Sequence, residues 1–555
     1  MGTTTTDDAA AVNVSEDELA VCISVLRRFD TSQGLAHLQT SRFQQLRLAV
    51  LSLADDFRGS CPLLRPRSNV ELNQEHRRVE RAHNRARDKQ LIDSTTLRAG
   101  RRSKLAVQTA KNPLVPQVPD GAVSCNSLLE LGSSEKAAAV GLHGKTRTLY
   151  YPRQCYVCNL KYKQLHHFYD RLCPPCAKLN YEKRLQTADL RDHVAIVTGA
   201  RVKIGYEITL KLLRSGAMVI ATTRFPKDAA YRFARERDFD AWKDKLQIYG
   251  MDFRDLGVID KFMDHVATTF GSIDILINNA TQTIRRPVHY YKHLIKSEVA
   301  PIPEELNGVE QILRGNASLL GISGTMKPLC GQDPHKGALV KVDVASHKDV
   351  VSSVLLSQVA VVSEDVGSKE TSYLFPEGQF DVNNQQVDLR TSNSWVAKID
   401  HVETMELVEV FAINTIAPFI LNKRVIPLLE KSTNKHKFII NVSAMEGKFN
   451  RPKTSYHPHT NMAKAAANMM TRTAAADLAT RGIFMNSVDT GWVNDENPRH
   501  IAVEKAATMD FQTPLDEIDA AARVLDPIFA LHQPQNGKKP LVFGQFLKDF
   551  GISKW

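Results

Sequence analysis

The chain has 555 residues, 43% hydrophobic and 24% charged, an ordinary balance for a globular protein of two or three domains. Its 72 Lys and Arg against 61 Asp and Glu give a net charge of +11, which permits anionic ligands without selecting one class. Eight cysteines, half of them in two CxxC pairs, exclude a small secreted disulfide framework and point to a reducing compartment, cytosolic or nuclear. No apolar run approaches the ~20 residues of a bilayer span, and no charged-then-apolar leader opens the sequence.

The opening MGTTTT has the loose Gly2…Thr6 form of a myristoylation signal, but Asp7 and Asp8 would repel anionic lipid, so it reads as a polar tail. Residues 15–58 predict two helices, the first with a capping box at Ser15 and Glu18 and an apolar stripe of Leu19, Cys22, Ile23 and Leu26. From Glu75 to Lys104 the chain is rich in Arg and His. No aromatic residues interleave to stack on bases, and acids dilute the charge, so a solvated helical face is expected rather than a nucleic-acid site. Residues 112–127, with three prolines, predict a linker. The boundaries expected are a helical, partly basic region over 1–111, a linker over 112–150, and a zinc-binding module over 151–186. A nucleotide-binding domain then fills 187–555.

The module rests on Cys155-x2-Cys158, fourteen residues, then Cys173-x2-Cys176. Two such knuckles offer four thiolates for a tetrahedral structural zinc, with Tyr156, Tyr162, Phe168 and Tyr169 as an apolar cap. A redox dithiol needs only one pair. His166 and His167 are expected at the surface, and a closed four-sulfur site leaves no open position for metal catalysis.

Beyond it, the apolar run Val194–Val197, ending at Thr198-Gly199, predicts a strand that enters a helix through a glycine-bearing turn, placing unpaired N–H groups where a pyrophosphate can sit. A second strand ends at Thr223-Arg224, where an acid suits a free ribose 2′-OH and an Arg suits a 2′-phosphate. Arg224, with Arg201 and Lys203 in the turn, therefore predicts NADP as cofactor. A third strand ends at Asp252, and a fourth runs into Asn278-Asn279-Ala280.

These residues resemble the short-chain dehydrogenase/reductase family over 192–555. TGARVKIG, from Thr198 to Gly205 and including Ile204, looks like its Thr-Gly-x3-Gly-x-Gly turn. Asp252 looks like its adenine-contacting Asp, Asn279-Ala280 like part of its NNAG motif, and the Gly491 turn stands for its Pro-Gly motif. Asn414, Ser443 and Lys464 match the family's Asn, Ser and Lys. The resemblance implies a Rossmann-like α/β fold, a doubly wound parallel sheet in the order 3-2-1-4-5-6-7. It also implies homo-oligomers and an oxidoreductase acting on a small carbonyl or alcohol. In the family a Tyr exchanges the proton, Lys lowers its pKa and holds the ribose, Ser fixes the substrate oxygen, and Asn holds a water.

Three departures stand out. Lys203 occupies the place of the turn's middle Gly. Where a βαβ unit needs ~30 residues, strands four and five are separated by on the order of a hundred more, an insertion over about 285–400. Residues 339–344 and 351–362 of it are expected to add helix or strand, and the polar stretch 383–395 is expected near the substrate. Thr460 stands four residues before Lys464, where the family has Tyr, and a Thr hydroxyl is far too weak an acid to replace a phenol. Tyr456, His457 and His459 lie just ahead. Three readings remain open: a working reductase with Tyr456 or a His as acid, different chemistry on bound NADP, or a catalytically silent NADP-binding scaffold holding a protein partner through the zinc module and insertion. Cys155→Ala should remove about one equivalent of zinc from the purified protein; unchanged metal content would sink the zinc assignment.

Overall fold

The computed structural model describes residues 14–29, 40–60, 69–111, 147–320, 352–366, 373–381, 385–532 and 541–555. MGTTTT, residues 112–146 of the linker, residues 339–344 and Asn383 lie outside the described residues. The chain divides into two compact units, 1–86 and 87–555.

In the first unit, α1 (Glu16–Arg27) opens on the expected box: Ser15 Oγ accepts from Glu18 N, and Glu18 Oε2 accepts from Ser15 N at 2.9 Å. Helix α2 (Gln44–Ser60) follows. The Arg- and His-rich run forms α3 (Asn69–Asp93) and α4 (Thr96–Lys111). Its carboxy-terminal part corrects the expectation of a solvated face. Arg98 is 2% exposed and pairs with Asp93 at 2.6 Å and with Asp510. Arg101 donates to the carbonyls of Thr513 and Leu515, and Asp88 accepts from the backbone N–H of Tyr150 and Tyr151. These charges tie chain segments together, because a buried guanidinium must find acceptors within the protein.

The cysteine module is a hairpin of β1 (Thr148–Gln154) and β2 (Lys161–Gln164) followed by α5 (Pro174–Leu185). Cys173 is the N-cap of α5, with Pro174 at its first position, where a missing N–H costs nothing.

The large sheet has eight strands in the order β10-β9-β8-β7-β6-β3-β4-β5. They are β3 (Val194–Thr198), β4 (Met218–Thr223), β5 (Leu246–Gly250), β6 (Ile275–Asn278), β7 (Lys437–Ser443), β8 (Ile483–Asp489), β9 (Phe546–Lys548) and β10 (Gly551–Ser553). All neighbours run parallel except β9 and β10, so the doubly wound order 3-2-1-4-5-6-7 is present with one antiparallel strand added at its edge. The central strands are buried on both faces, as a parallel sheet covered by helices requires. Side chains alternate between the faces. Ala195 and Val197 join a core with α6 (Lys203–Arg214), α7 (Pro226–Ala234) and α16 (Glu517–Phe529), while Ile196 joins one with α8 (Gly257–Phe270), α13 (Ala417–Lys431) and α14 (Pro458–Thr480). Helix α15 (Arg499–Met509) buries none of its residues. Each fully buried Ile, Leu or Phe there contributes roughly 1.5–3 kcal/mol.

The insertion adds α9 (Lys292–Val299), α10 (Val309–Leu319) packed on β5, and the short α11 (Ser352–Leu356). Helix α12 (Thr404–Phe411) continues through a π turn at Ala412–Ile416 into α13. By length and composition this 404–431 rod could cross a bilayer, with mean hydropathy 1.5, but Ile413, Leu421, Val425 and Leu428 pack in the core.

Two glycines fix how β3 turns into α6. A Cβ on Gly205 would lie 2.2 Å from the Gly199 carbonyl oxygen and 2.5 Å from Asn279 Nδ2. Gly205→Ala should lower the melting temperature by roughly 5–10 °C through backbone displacement; unchanged melting would show that the turn can yield.

Candidate functional site

The turn after β3 is locked to the strand beside it. Thr198 Oγ1 accepts from the N–H of Asn279 (3.0 Å) and Ala280 (2.9 Å), and Asn279 Nδ2 returns bonds to the carbonyls of Thr198 and Gly199. Gly199 has φ of 69°, and a Cβ there would sit 2.9 Å from Ala280 Cα. Lys203 also has positive φ, 54°, so it keeps the backbone form of the glycine it replaces at a cost of about 1–2 kcal/mol. The amino terminus of α6 thus faces outward with its orphan N–H groups. Ile204 turns the other way and packs against the cluster that contains the cysteine module.

The three cations expected around this turn have different partners. Arg201 pairs with Asp228 at 2.7 Å, and Lys203 Nζ lies 4.0 Å from Glu496. Arg224, at the end of β4, donates instead to the neutral Tyr291 hydroxyl at 2.8 Å and lies 4.6 Å from that ring's centroid. Asp252, which burial alone would push up, is held below its ordinary pKa chiefly by Arg254, which binds both its oxygens.

The Ser, Lys and Asn picked out in the sequence are assembled around one face of α14. Lys464 is 6% exposed, and its ammonium donates to the Val442 carbonyl at 2.8 Å, directly ahead of Ser443. One turn further on, Asn468 Nδ2 donates to the Gly447 carbonyl, so its Oδ1 faces Ser443 Oγ at 2.7 Å. A carbonyl can only accept, so the network fixes the amide's orientation and makes Ser443 the donor to Asn468. Asn414 sits in the π turn and grips Gln282 twice, through N–H to Oδ1 (2.7 Å) and Nδ2 to carbonyl (3.0 Å). Its neighbour Thr415 donates to the Ala463 carbonyl, which sets the π turn against Lys464. Ser443, Lys464 and Asn414 are therefore brought together.

Thr460, one turn before Lys464, is 2% exposed and its hydroxyl has no partner; buried Gln282 Nε2 is likewise unpartnered. Both atoms are closed to solvent, as are the two ring nitrogens of His459, so several buried polar groups around this face lack a partner within the protein. Tyr456 is 40% exposed in the turn ahead of α14, and no contact ties it to Ser443. His457 has φ of 45° and stacks on Trp395 of the insertion at 3.9 Å, with its Nδ1 donating to the Trp395 carbonyl. His459 is buried, 3.5 Å from Glu406, which also accepts from Ser394. Ser394 and Trp395 thus reach the start of α14, and Asn393 bonds the Glu496 carbonyl as well. Asn468 and Gln282 were missed by sequence reasoning. Asn468 could have been found from its helical i+4 spacing to Lys464; nothing local marks Gln282.

The sulfurs of Cys155, Cys158, Cys173 and Cys176 lie within 4.8 Å of one another. Zn–S bonds of ~2.3 Å in a tetrahedron put sulfurs about 3.8 Å apart, so the donor set and its spacing fit zinc. His166 is half-buried and donates nothing to the sulfurs; it accepts from Phe168 N, and burial pushes its pKa down to about 4. The module abuts the loop after β8. Tyr156 Oη accepts from Trp492 N at 2.9 Å, and Gly491, with φ of 79°, packs under Leu515. Asp489 accepts from Gly491 N and stays buried, which raises its pKa.

Residues 193–296 match the family profile described as short chain dehydrogenase, and residues 391–536 match that described as enoyl-(acyl carrier protein) reductase. The unmatched gap falls within the insertion. An uncharacterized protein of Acanthamoeba polyphaga mimivirus is 27% identical over 392 residues, 68% of this chain and 71% of its own length. The (+)-neomenthol dehydrogenase of Capsicum annuum is 29% identical over 121 residues, 21% of this chain and only 38% of that enzyme. The solved NADPH-bound carbonyl reductase from chicken fatty liver shares 17% identity, covering 66% of this chain and 99% of its own, with a TM-score of 0.37. With the motif order and the sheet topology, the two profile matches make the chain a divergent member of the short-chain dehydrogenase/reductase family.

Burial lowers the Lys464 pKa from its ordinary 10.5 to about 8. The unfolded chain therefore holds this proton more tightly. The buried ammonium costs up to about 3 kcal/mol below pH 8, and that cost vanishes as pH rises to about 10.5. Lys464→Met should stabilise the cofactor-free protein by roughly 1–2 kcal/mol at neutral pH, after the loss of the Val442 bond. Thermal melting at neutral pH and near pH 10 should show the gain only at the lower pH; equal destabilisation at both would refute the strain.

Proposed function

We propose that the chain is an NADP-dependent oxidoreductase acting on a carbonyl or alcohol, with a structural zinc in its four-cysteine module, working where thiolates persist. The observation that carries this reading is the joined face of Ser443, Lys464 and Asn414 beside the unpartnered Thr460 and Gln282. Arg224 would hold the 2′-phosphate, the amino terminus of α6 the diphosphate, and Lys464 the ribose hydroxyls. When bound, the nicotinamide supplies or accepts hydride at the substrate carbon. The chain's own task is to hold the substrate oxygen and move one proton to or from it.

Ser443 spends its proton on Asn468, so it offers lone pairs to the cleft and suits a substrate group that donates to it. Thr460 has a buried, unpartnered hydroxyl but is too weak an acid to supply the proton itself. Two groups can supply it: the Lys464 ammonium one turn away, and the phenol of Tyr456 if the turn before α14 folds inward. His457 is engaged by Trp395 of the insertion, which argues against it, whereas both ring nitrogens of His459 are buried without a hydrogen-bond partner, 3.5 Å from Glu406.

A second reading, a silent NADP-binding scaffold, draws support from the insertion's hold on His457 through Trp395 and from the absent phenol. NADPH titration beside an absorbance assay on a carbonyl panel separates the two. Turnover that Tyr456→Phe cuts at least tenfold makes Tyr456 the acid, and turnover unaffected by it leaves Lys464. Tight binding with no turnover on any substrate favours the scaffold, and no NADPH binding defeats both readings.

A further inference from the structure

Arg224 is held almost entirely by the insertion. Its guanidinium donates to Tyr291 Oη at 2.8 Å and faces the same ring at 4.6 Å. Its backbone carbonyl accepts from Ser353 Oγ of α11 at 3.0 Å. Tyr291 is itself fixed in a small apolar core with Phe225, Tyr290, Leu294, Val354 and Phe375, its ring 5.5 Å from that of Phe225. Side chains from two separated parts of the inserted chain, Tyr291 and Ser353, thus converge on one residue of the nucleotide fold.

Among the described residues, Arg224 has no carboxylate at ion-pair distance, although the buried Asp252 and Glu409 act on it through space. Arg201, on the other side of Phe225, is paired to Asp228, and Arg254 is committed to Asp252. A guanidinium on a flexible stem loses about 2 kcal/mol of rotamer freedom when a phosphate immobilises it, and a partner that already holds the fork removes much of that cost. A neutral hydroxyl does so without discharging the cation. A carboxylate in its place would compete with the phosphate.

We propose that Tyr291 is a specificity-determining positioning residue: through its hydroxyl and ring it presets Arg224 for a ribose 2′-phosphate, so the insertion sets the preference for NADP over NAD. The inference rests on the reading of this chain as an NADP binder.

The test is fluorescence titration of the full chain with NADPH and with NADH. Tyr291→Phe keeps the ring and its packing and removes only the hydroxyl. NADPH affinity should fall about tenfold, the loss expected for one hydrogen bond to a charged group, while NADH affinity stays within twofold. An unchanged ratio, an equal loss for both cofactors, or a gain for NADPH would overturn the proposal. Ser353→Ala gives a second handle should the Phe variant fold poorly, and should lower the same ratio by a smaller factor; an unmoved ratio counts against the proposal. Arg224→Ala reports on the underlying reading. If the unaltered chain shows no preference for NADPH, or Arg224→Ala leaves it intact, the NADP assignment fails whatever Tyr291 does.

Discussion

Lys464 carries its ammonium inside the protein on a single hydrogen bond, and the surrounding architecture is what makes that tolerable. Its position is fixed from three sides: β7 supplies the accepting carbonyl, the π turn packs against its neighbour, and Asn468 holds Ser443 one helical turn on. Close packing on α14 is part of this, since a Cβ at Gly447 would stand 2.7 Å from the Lys464 carbonyl carbon. A buried charge with one partner is costly unless something else arrives to meet it, so the same geometry that strains the fold prepares a binding site.

The insertion is the feature that departs most from a plain nucleotide fold, and it acts at both ends of the cleft. At one end it grips Arg224 through Tyr291 and Ser353; at the other it stacks Trp395 on His457 and ties Asn393 to the Glu496 loop. It is pinned by ion pairs, with buried Arg285 paired to Asp365 and to Glu409 of α12, and Arg390 paired to Asp388 and to the more exposed Glu364. Pairs of this kind contribute little net stability but penalise misregistered packing heavily, which suits a segment that must meet the fold at several points.

The cysteine module is the second addition. It packs its apolar cap against Ile204 at the start of α6 and against Val493 and Leu515 in the loop after β8. Through these contacts it braces two loops of the larger fold.

Much of this was legible in the residues themselves. Consecutive apolar, β-branched runs announced strands buried on both faces, and the glycines of the turn, the Asn279-Ala280 pair and the paired CxxC motifs each impose a local geometry that few other residues allow. The positive φ of Lys203 shows the limit of that logic, because the backbone kept the glycine form when the residue changed. Tertiary structure alone decided the rest: that buried Arg98 and half-buried Arg101 clamp distant segments, that Asn468 sets the direction of Ser443's proton, and that Tyr291 reaches Arg224 while Trp395 reaches His457. Spacing along the chain carries the periodicity of a helix or strand, and so it announces elements. It carries nothing about which side chains meet across more than a hundred residues of inserted chain, and those meetings assign each charge in this site its partner.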